Sequence, residues 1–196
     1  VRAIPEGERM QAGETVMQLE GPCDSFGIHE TAILGIIASS SGWATAAAEC
    51  VDAAAGKPVA CFASRHLHPA AAPVMERSAL IGGCGSASNI LGARLSGRDP
   101  VGTIPHALVL VVGDTLEAAR LYSKHLGRTG PLVCLIDTFR DEAMESVRVA
   151  EALGEDLFGV RLDTPGERGG VTPGLVRETR ARLDQAGAGH VRIFCS

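Results

Sequence analysis

Leu132-Val133-Cys134-Leu135-Ile136-Asp137-Thr138 is an uninterrupted apolar run that ends abruptly in an acid and a hydroxyl. A second apolar run, Leu157-Phe158-Gly159-Val160-Arg161-Leu162-Asp163-Thr164, contains Arg161 and ends in the same pair. Continuous apolar runs of this length are typical of strands buried on both faces, as in parallel sheets. The amphipathic stretch 141–153 lies between the two runs. The segment therefore predicts a strand–helix–strand unit with polar groups at the end of each strand.

The same alternation extends outward from this segment through most of the chain. Further apolar runs occur at 59–63, weakly at 79–81, and at 101–104 and 191–195, with amphipathic stretches at 114–125 and 172–186. About six such units predict a βα barrel or an open doubly wound sheet. Almost every run leads directly into polar or charged residues, which favours the barrel because its strand ends ring one mouth.

The amino-terminal part has a different pattern. Residues 8–21 predict short strands around a glycine turn, and two helices are predicted at 28–40 and 43–55, as a buried pair broken at Gly42. Gly56-Lys57-Pro58 ends the second helix. We therefore expect residues 1–56 to be the remainder of an α/β domain with linking helices, and residues 57–196 to be a truncated, irregular βα barrel. The uncharged stretch 31–48 is too rich in serine and glycine to predict a membrane span.

Composition excludes several classes of protein. Of the 196 residues, 45% are hydrophobic and 21% charged, and the net charge is −5 without a basic block, so nucleic acid and anionic membranes are not expected partners. The six cysteines form no C-x-x-C pair and lie largely in apolar runs. They predict reduced core residues in a cytoplasmic protein.

The strand ends carry candidate catalytic groups. Asp137 and Asp163 close neighbouring runs and can hold a magnesium ion or stabilise a sugar that gains positive charge. The alternative is that each caps the following helix. Arg65 and Arg161 suit phosphate or carboxylate, because a guanidinium donates hydrogen bonds in pairs. His106 follows the run 101–104 and can act as acid, base or nucleophile.

A glycine-rich loop at residues 82–89 offers backbone amides and hydroxyls that could cradle an anion. It matches neither the dinucleotide fingerprint nor the P-loop, and Gly-Gly also simply makes a turn. The residues alone therefore indicate a barrel enzyme that handles a phosphorylated anionic substrate with magnesium.

A series of segments resembles the nicotinate phosphoribosyltransferase family in its short archaeal and bacterial form. They run in order over nearly the whole chain: Glu20–Pro22, Glu30–Gly35, Ser40–Ala47, Ser64–Pro69, Ser88–Ala93, Gly102–Ala107, Asp137–Phe139 and Gly159–Pro165. The resemblance implies the type II phosphoribosyltransferase fold, as a fragment lacking both ends. It implies transfer of ribose 5-phosphate from phosphoribosyl pyrophosphate to nicotinate in NAD salvage, in a homodimer or higher homo-oligomer.

The resemblance also implies residue roles. His106 matches the histidine that many members phosphorylate with ATP, and Asp137 and Asp163 would face the ribose and Mg²⁺. Arg65 would hold the pyrophosphate side of the donor, and Arg161 the pyridine carboxylate or 5-phosphate. The predicted substrate-binding set is Arg65, His66, Ser86, Ser88, Thr138, Arg161 and Thr164.

Two departures from the family leave alternatives open. Gly85 replaces a usual aspartate in the glycine-rich loop. The resemblance also implies an amino-terminal segment that lends an aromatic residue to a neighbouring subunit and a glycine loop after Ser196, and both are missing, so we expect the 196-residue chain to be inactive alone. Quinolinate phosphoribosyltransferase shares the fold and decarboxylates its substrate, but it typically has Arg-Lys-Thr where this chain has Arg65-His66-Leu67. A non-catalytic barrel-derived binding protein is the further alternative.

Overall fold

The structure is a computed structural model that describes residues 1–126 and 130–196. The chain divides into two compact units, Val1–Gly102 and Thr103–Ser196, and each is described by itself. The domain boundary predicted after residue 56 stays a prediction.

The first unit opens with two short strands. β1 (Arg2–Ala3) pairs antiparallel with β2 (Met17–Gln18), so Arg2 lies opposite Gln18. Of the short strands predicted within residues 8–21, the structure forms β2, and its partner lies upstream of that range. The short helix α1 (Cys23–Phe26) and a 3-10 turn (Gly27–His29) follow, and lead into the long helix α2 (Glu30–Ala53).

The helix pair predicted at 28–40 and 43–55 is wrong, because α2 is continuous through Gly42. A glycine inside a helix costs only about 1 kcal/mol. The hydroxyls of Ser39 and Thr45 donate to the carbonyls of Gly35 and Ser41, at 2.7 and 2.8 Å, so these polar side chains are satisfied within the helix.

The predicted burial of these helices is also wrong. In α2, whose residues are all described, burial is confined to Ala47. By length and composition alone the helical stretch Cys23–Ala53 could cross a membrane, which is weak evidence for a span. A Cβ at Gly82 would collide with the carbonyl of Ala44 in α2, so the absence of a side chain there permits close packing.

A parallel strand–helix–strand unit completes the first unit. β3 (Ala60–Cys61) is followed by a 3-10 turn (Ala63–His66), α3 (Ala72–Ile81), β4 (Ser86–Ala87) and α4 (Ile90–Leu95). Ala60 lies opposite Ser86 in the parallel register. The strand predicted at 79–81 is wrong, since these residues end α3. Its buried positions are 72, 75, 76, 78, 79 and 80, and the helical spacing of 72, 75, 76, 79 and 80 places one face of α3 in the core.

The second unit confirms the predicted alternation. Its elements are α5 (His106–Val112), α6 (Thr115–Leu126), β5 (Val133–Leu135), α7 (Glu142–Leu153), β6 (Gly159–Leu162), α8 (Pro173–Gln185) and β7 (Arg192–Cys195). The strands form a parallel sheet in the order β5-β6-β7. The strand predicted at 101–104 is wrong. Pro105 follows directly as the N-cap of α5, and a proline has no N–H to donate to a neighbouring strand.

The core of the second unit lies between the sheet and its helices. Residues buried there include Cys134, Ile136, Val149, Val160 and Leu183. Each of the six cysteines lies within the described ranges and is a free thiol, as predicted, and Cys84 and Cys134 are buried. The predicted core position is wrong for Cys23, Cys50 and Cys195, which are exposed. Because β5, β6 and β7 pair in parallel, their carboxyl ends lie side by side at one edge of the sheet.

Candidate active site

The candidate site of the second unit lies at the carboxyl ends of its strands. Asp137 follows β5, Asp163 follows β6 directly and Ser196 follows β7 directly. His106 is the first residue of α5. The parallel register therefore gathers groups that are 59 positions apart in sequence, from residue 137 to 196. This is the edge at which we predicted catalytic residues.

His106 lies between the two acids. Its Nε2 is 3.2 Å from Oδ2 of Asp137, and its Nδ1 is 3.9 Å from Oδ2 of Asp163. The Asp137 side chain is 1% exposed, whereas that of His106 is 40% exposed. In the tautomer that donates Nε2–H to Asp137, Nδ1 keeps its lone pair. The imidazole is thus oriented by a buried carboxylate and presents a nucleophilic or basic nitrogen.

Asp163 is engaged on both oxygens. Arg161 Nη2 donates to Oδ2 at 2.6 Å, and Ser196 Oγ donates to Oδ1 at 2.8 Å. Arg161 also donates to Thr103 Oγ1 at 3.2 Å and to Ser196 Oγ at 3.1 Å. Arg161 therefore neutralises Asp163 in this structure, and a metal ion would have to displace these donors to bind it directly.

Asp137 keeps one carboxylate oxygen unpaired within the described ranges. In the part of the chain that the structure describes, its Oδ1 and the neighbouring Thr138 Oγ1 are buried without a hydrogen-bond partner. A buried polar atom left unpaired costs about 1–3 kcal/mol, so such atoms call for an explanation. The backbone carbonyl of Asp137 is held by Arg168 Nη1 at 2.9 Å. The free Oδ1 fits a cation or a hydrogen-bond donor of a substrate.

The cap interpretation of the two acids is wrong for Asp137. Helix α7, which follows it, is capped by Asp141, whose Oδ1 accepts from the Met144 amide at 3.0 Å. Among residues 1–126 and 130–196 there is no cluster of three or more His, Cys, Asp or Glu placed to hold a metal. A magnesium ion at Asp137 would take most of its ligands from water and phosphate oxygens, as this ion commonly does.

Thr164 belongs to a buried cluster beside the site. Its Oγ1 donates to Glu142 Oε1 at 2.8 Å, and Nη2 of Arg168 lies 3.6 Å from the same oxygen. Thr164 and Glu142 are each 7% exposed. The hydroxyl proton of Thr164 is therefore committed within the protein. Sequence reasoning missed Glu142, although an acid on the apolar face of an amphipathic helix is a signal that could have identified it.

The first unit holds the remaining predicted residues. Arg65 and His66 lie in the 3-10 turn after β3 and are exposed, whereas Ser86 in β4 and Ser88 after it are half-buried. Ser88 Oγ donates to Glu76 Oε1 at 2.7 Å. Convergence of Arg65 with the second-unit site stays a prediction.

The amides of the glycine-rich loop are largely used within the fold. The N–H groups of Cys84, Gly85 and Ser88 donate to the carbonyls of Ala79, Val59 and Cys61, at 3.0, 2.8 and 3.1 Å. The Asn89 N–H donates to Glu76. The expected anion cradle is not formed by these amides. An anion would have to rely on other donors of this loop or on Arg65.

Comparison with known proteins shows that two models of one protein family match this chain. The model of the quinolinate phosphoribosyl transferase N-terminal domain matches residues 1–41, and that of the C-terminal domain of the same enzyme matches residues 43–196. Nicotinate phosphoribosyltransferase pncB2 of Mycobacterium tuberculosis is 35% identical over 201 residues, which cover 100% of this chain and 42% of that protein. The nicotinate phosphoribosyltransferase of Bacillus subtilis is 31% identical over 99% of this chain and 39% of its own length. The chain thus spans about two fifths of these curated relatives.

Solved structures agree on the fold. Nicotinate-nucleotide pyrophosphorylase from Pyrococcus furiosus superposes with a TM-score of 0.83 at 47% identity, covering 87% of this chain and 44% of that one. Human nicotinic acid phosphoribosyltransferase superposes with a TM-score of 0.70 at 22% identity, covering 98% of this chain and 49% of that one. The second likeness bears on the fold alone. Together they confirm the α/β fold class predicted from the strand and helix pattern.

Proposed function

The chain belongs to the quinolinate phosphoribosyl transferase family, the type II phosphoribosyltransferases, and we propose that it acts as a nicotinate phosphoribosyltransferase. In this reaction the bond from C1 of the ribose to pyrophosphate breaks, and a bond from C1 to the ring nitrogen of nicotinate forms. The products are nicotinate mononucleotide and pyrophosphate. Relatives named nicotinate phosphoribosyltransferase, 31–35% identical, support this choice of substrate.

The observation that carries the proposal is the unpaired, buried Oδ1 of Asp137 beside His106. As pyrophosphate leaves, the ribose gains positive charge, and a fixed carboxylate lowers the energy of that charge. Removal from water strengthens this interaction, and the Asp137 side chain is 1% exposed. Asp137 is therefore the residue we assign to ribose stabilisation.

Arg161 is the residue we assign to the anionic end of a substrate. A guanidinium has five N–H donors, and those not bonded to Asp163, Thr103 and Ser196 can bind a carboxylate or the 5-phosphate. Asp163 fixes the plane of this group with its 2.6 Å bond. Preorganised donors of this kind need no rearrangement during the reaction.

Magnesium and ATP belong to the proposal as well. Bound magnesium would neutralise the charge of the leaving pyrophosphate, and Asp137 and Asp163 are the residues that would hold it, through the unpaired Oδ1 of Asp137 first. His106 presents Nδ1 for phosphorylation by ATP, while Asp137 holds Nε2. We further propose a cytoplasmic, homo-oligomeric enzyme of NAD salvage.

Quinolinate phosphoribosyltransferase is the second candidate, and the names of the matching family models favour it. Quinolinate carries a second carboxylate, which calls for more positive charge at the site. His66 and Leu67 stand where that enzyme typically has Lys-Thr, so nicotinate remains our first choice. A binding protein without turnover is the remaining candidate, supported by Gly85.

The test is a substrate screen on the protein expressed from its complete reading frame. With phosphoribosyl pyrophosphate and Mg²⁺, we expect a mononucleotide from nicotinate and no carbon dioxide from quinolinate. Asp137→Asn should lower kcat/KM by on the order of 10²–10³-fold, because it removes the ribose-facing charge. Asp141→Asn is the matched control, since asparagine also caps a helix, and it should keep activity.

Three outcomes would count against the proposal. Carbon dioxide release from quinolinate would select the second candidate. Donor binding without product would select the binding protein. Equal activity of Asp137→Asn and Asp141→Asn would remove Asp137 from the mechanism.

Acid-labile phosphate on the wild type but not on His106→Asn would support ATP coupling.

A further inference from the structure

We propose that Glu76 is a positioning residue that sets the geometry of the loops after β3 and β4, which carry the predicted donor-binding residues. The role rests on the proposed function. Glu76 lies in the middle of α3 and is 0% exposed. A buried carboxylate costs several kcal/mol in lost hydration unless it is well paired. Its position therefore points to a task beyond filling the core.

The partners of Glu76 come from two segments that are distant in sequence. Oε1 accepts from Ser64 Oγ at 2.5 Å and from Ser88 Oγ at 2.7 Å, while Oε2 accepts from the Asn89 amide at 2.5 Å. Ser64 lies in the 3-10 turn after β3, next to Arg65. Ser88 and Asn89 follow β4 directly. One carboxylate thus fixes both strand ends.

An acid suits this position better than an amide does. The carboxylate is acceptor-only on both oxygens, and each described partner donates to it. Glutamine has a single acceptor oxygen, so it cannot accept from the hydroxyls and the Asn89 amide together. The hydrogen bonds to an ionised acceptor are also roughly twice as strong as neutral ones. Glu76 can therefore hold the two loops in a way that glutamine cannot.

The same device occurs in the second unit. Glu142 in α7 accepts from Thr164, which lies two residues beyond the end of β6. In each case an acid on the buried face of a helix holds a hydroxyl that follows the next strand. At Glu76 the device also reaches back to the preceding strand end through Ser64. The loop that carries Arg65 and the loop that carries Ser88 are thereby linked.

The link has a consequence for ligand binding. The Ser64 and Ser88 protons are donated to Glu76, so these hydroxyls keep only lone pairs, which do not bind phosphate. In these two loops the guanidinium of Arg65 can still bind a donor phosphate, and its backbone position depends on the turn that Ser64 anchors. Glu76 would act on donor binding through Arg65, without touching the donor.

The test compares Glu76→Gln with Glu145→Gln in the protein expressed from its complete reading frame. Glu145 is also buried, at 1% side-chain exposure, but it pairs with Arg148 in α7. Titration calorimetry would measure the affinity for phosphoribosyl pyrophosphate. Hydrogen exchange would follow residues 63–66 and 86–89, and urea unfolding the stability.

For Glu76→Gln we expect faster exchange in both loops and donor affinity about tenfold to hundredfold weaker, since displacing a binding group by about 1 Å can cost up to about 10²-fold. For Glu145→Gln we expect lower stability with unchanged affinity. In kinetics, Glu76→Gln should raise the donor KM more than it lowers kcat, and Glu76→Asp should restore part of the loss. These results together would support positioning.

Wild-type affinity and exchange in Glu76→Gln would overturn the proposal, as would equal loss of affinity in the two variants. If Glu76→Gln fails to fold, Ser64→Ala, Ser88→Ala and the double variant replace it. Because the two hydroxyls share Oε1, their effects on affinity should couple, and strict additivity would overturn the proposal. Failure of the wild type to bind the donor would instead refute the proposed function.

Discussion

Two buried threonines offer one chemical change with opposite expected results. Thr164→Val removes a hydroxyl that donates to Glu142 Oε1 at 2.8 Å. Thr179→Val removes a hydroxyl in α8 whose Oγ1 has no hydrogen-bond partner among the described residues. The two threonines are 7% and 0% exposed. Valine keeps the volume in each case, so neither variant opens a cavity.

The magnitude follows from the partners. A hydrogen bond to a charged acceptor contributes about 1.5–3 kcal/mol, and Thr164→Val leaves the 7%-exposed Glu142 with Arg168 at 3.6 Å. We therefore expect the second unit to lose about 2 kcal/mol. Burying an unpaired hydroxyl costs about 1–3 kcal/mol, so Thr179→Val should gain on the order of 1 kcal/mol. The two variants should differ by about 3 kcal/mol.

The assay must report on the second unit, because two compact units need not unfold together. Native-state hydrogen exchange at the amides of β6 gives that free energy directly. Equal protection in the two variants, or greater protection in Thr164→Val, would refute the reasoning from hydrogen-bond satisfaction. Glu142→Gln in a double-mutant cycle with Thr164→Val would measure the pair itself.

Two further predictions concern ionisation. Burial raises the pKa of the Cys134 thiol to about 12. Iodoacetamide at pH 8 should therefore modify exposed Cys23 and leave Cys134 unmodified until the chain unfolds. Rapid labelling of Cys134 in the folded chain would contradict its burial. Burial alone would raise the pKa of Glu145, but the hydrogen bonds and charge of Arg148 outweigh it and hold that pKa below its ordinary 4.5. The ionised form is thus favoured by folding, so the unfolding free energy should fall as pH drops from about 5 towards 3. In Glu145→Gln, urea unfolding should show a shallower slope over this range, and an unchanged slope would exclude Glu145 as its source.

The helix and strand pattern of the second unit could be predicted because it is encoded locally. The run 132–136 is apolar at consecutive positions, which suits a strand buried on both faces, and stretch 141–153 has the helical period. The same criterion failed at 79–81. That run is part of the helical face of α3, and a short apolar run has no period of its own.

The candidate site was predictable as a list of residues but not as a set of bonds. Asp137 and Asp163 were predicted to lie together because polar groups that end parallel strands share an edge. His106 was predicted from a strand at 101–104 that the structure does not form, and it lies beside Asp137 as the first residue of α5. Their separate roles could not be predicted, because these depend on which carboxylate oxygen bonds to Arg161 and which carboxylate oxygen remains unpaired. Those distances are set by the register of β5, β6 and β7.

By itself, the order of residues in this chain determines an alternating α/β architecture and the chemical types at its strand ends, because periodicity and composition act over a few positions. Tertiary structure alone decided that Arg161 pairs with Asp163 and that Glu76 joins Ser64 to Ser88. These outcomes depend on groups 2 to 12 positions apart being turned towards one another by packing. The physical reason is that a buried polar atom must find a partner wherever the fold places one, and the sequence does not state where that is.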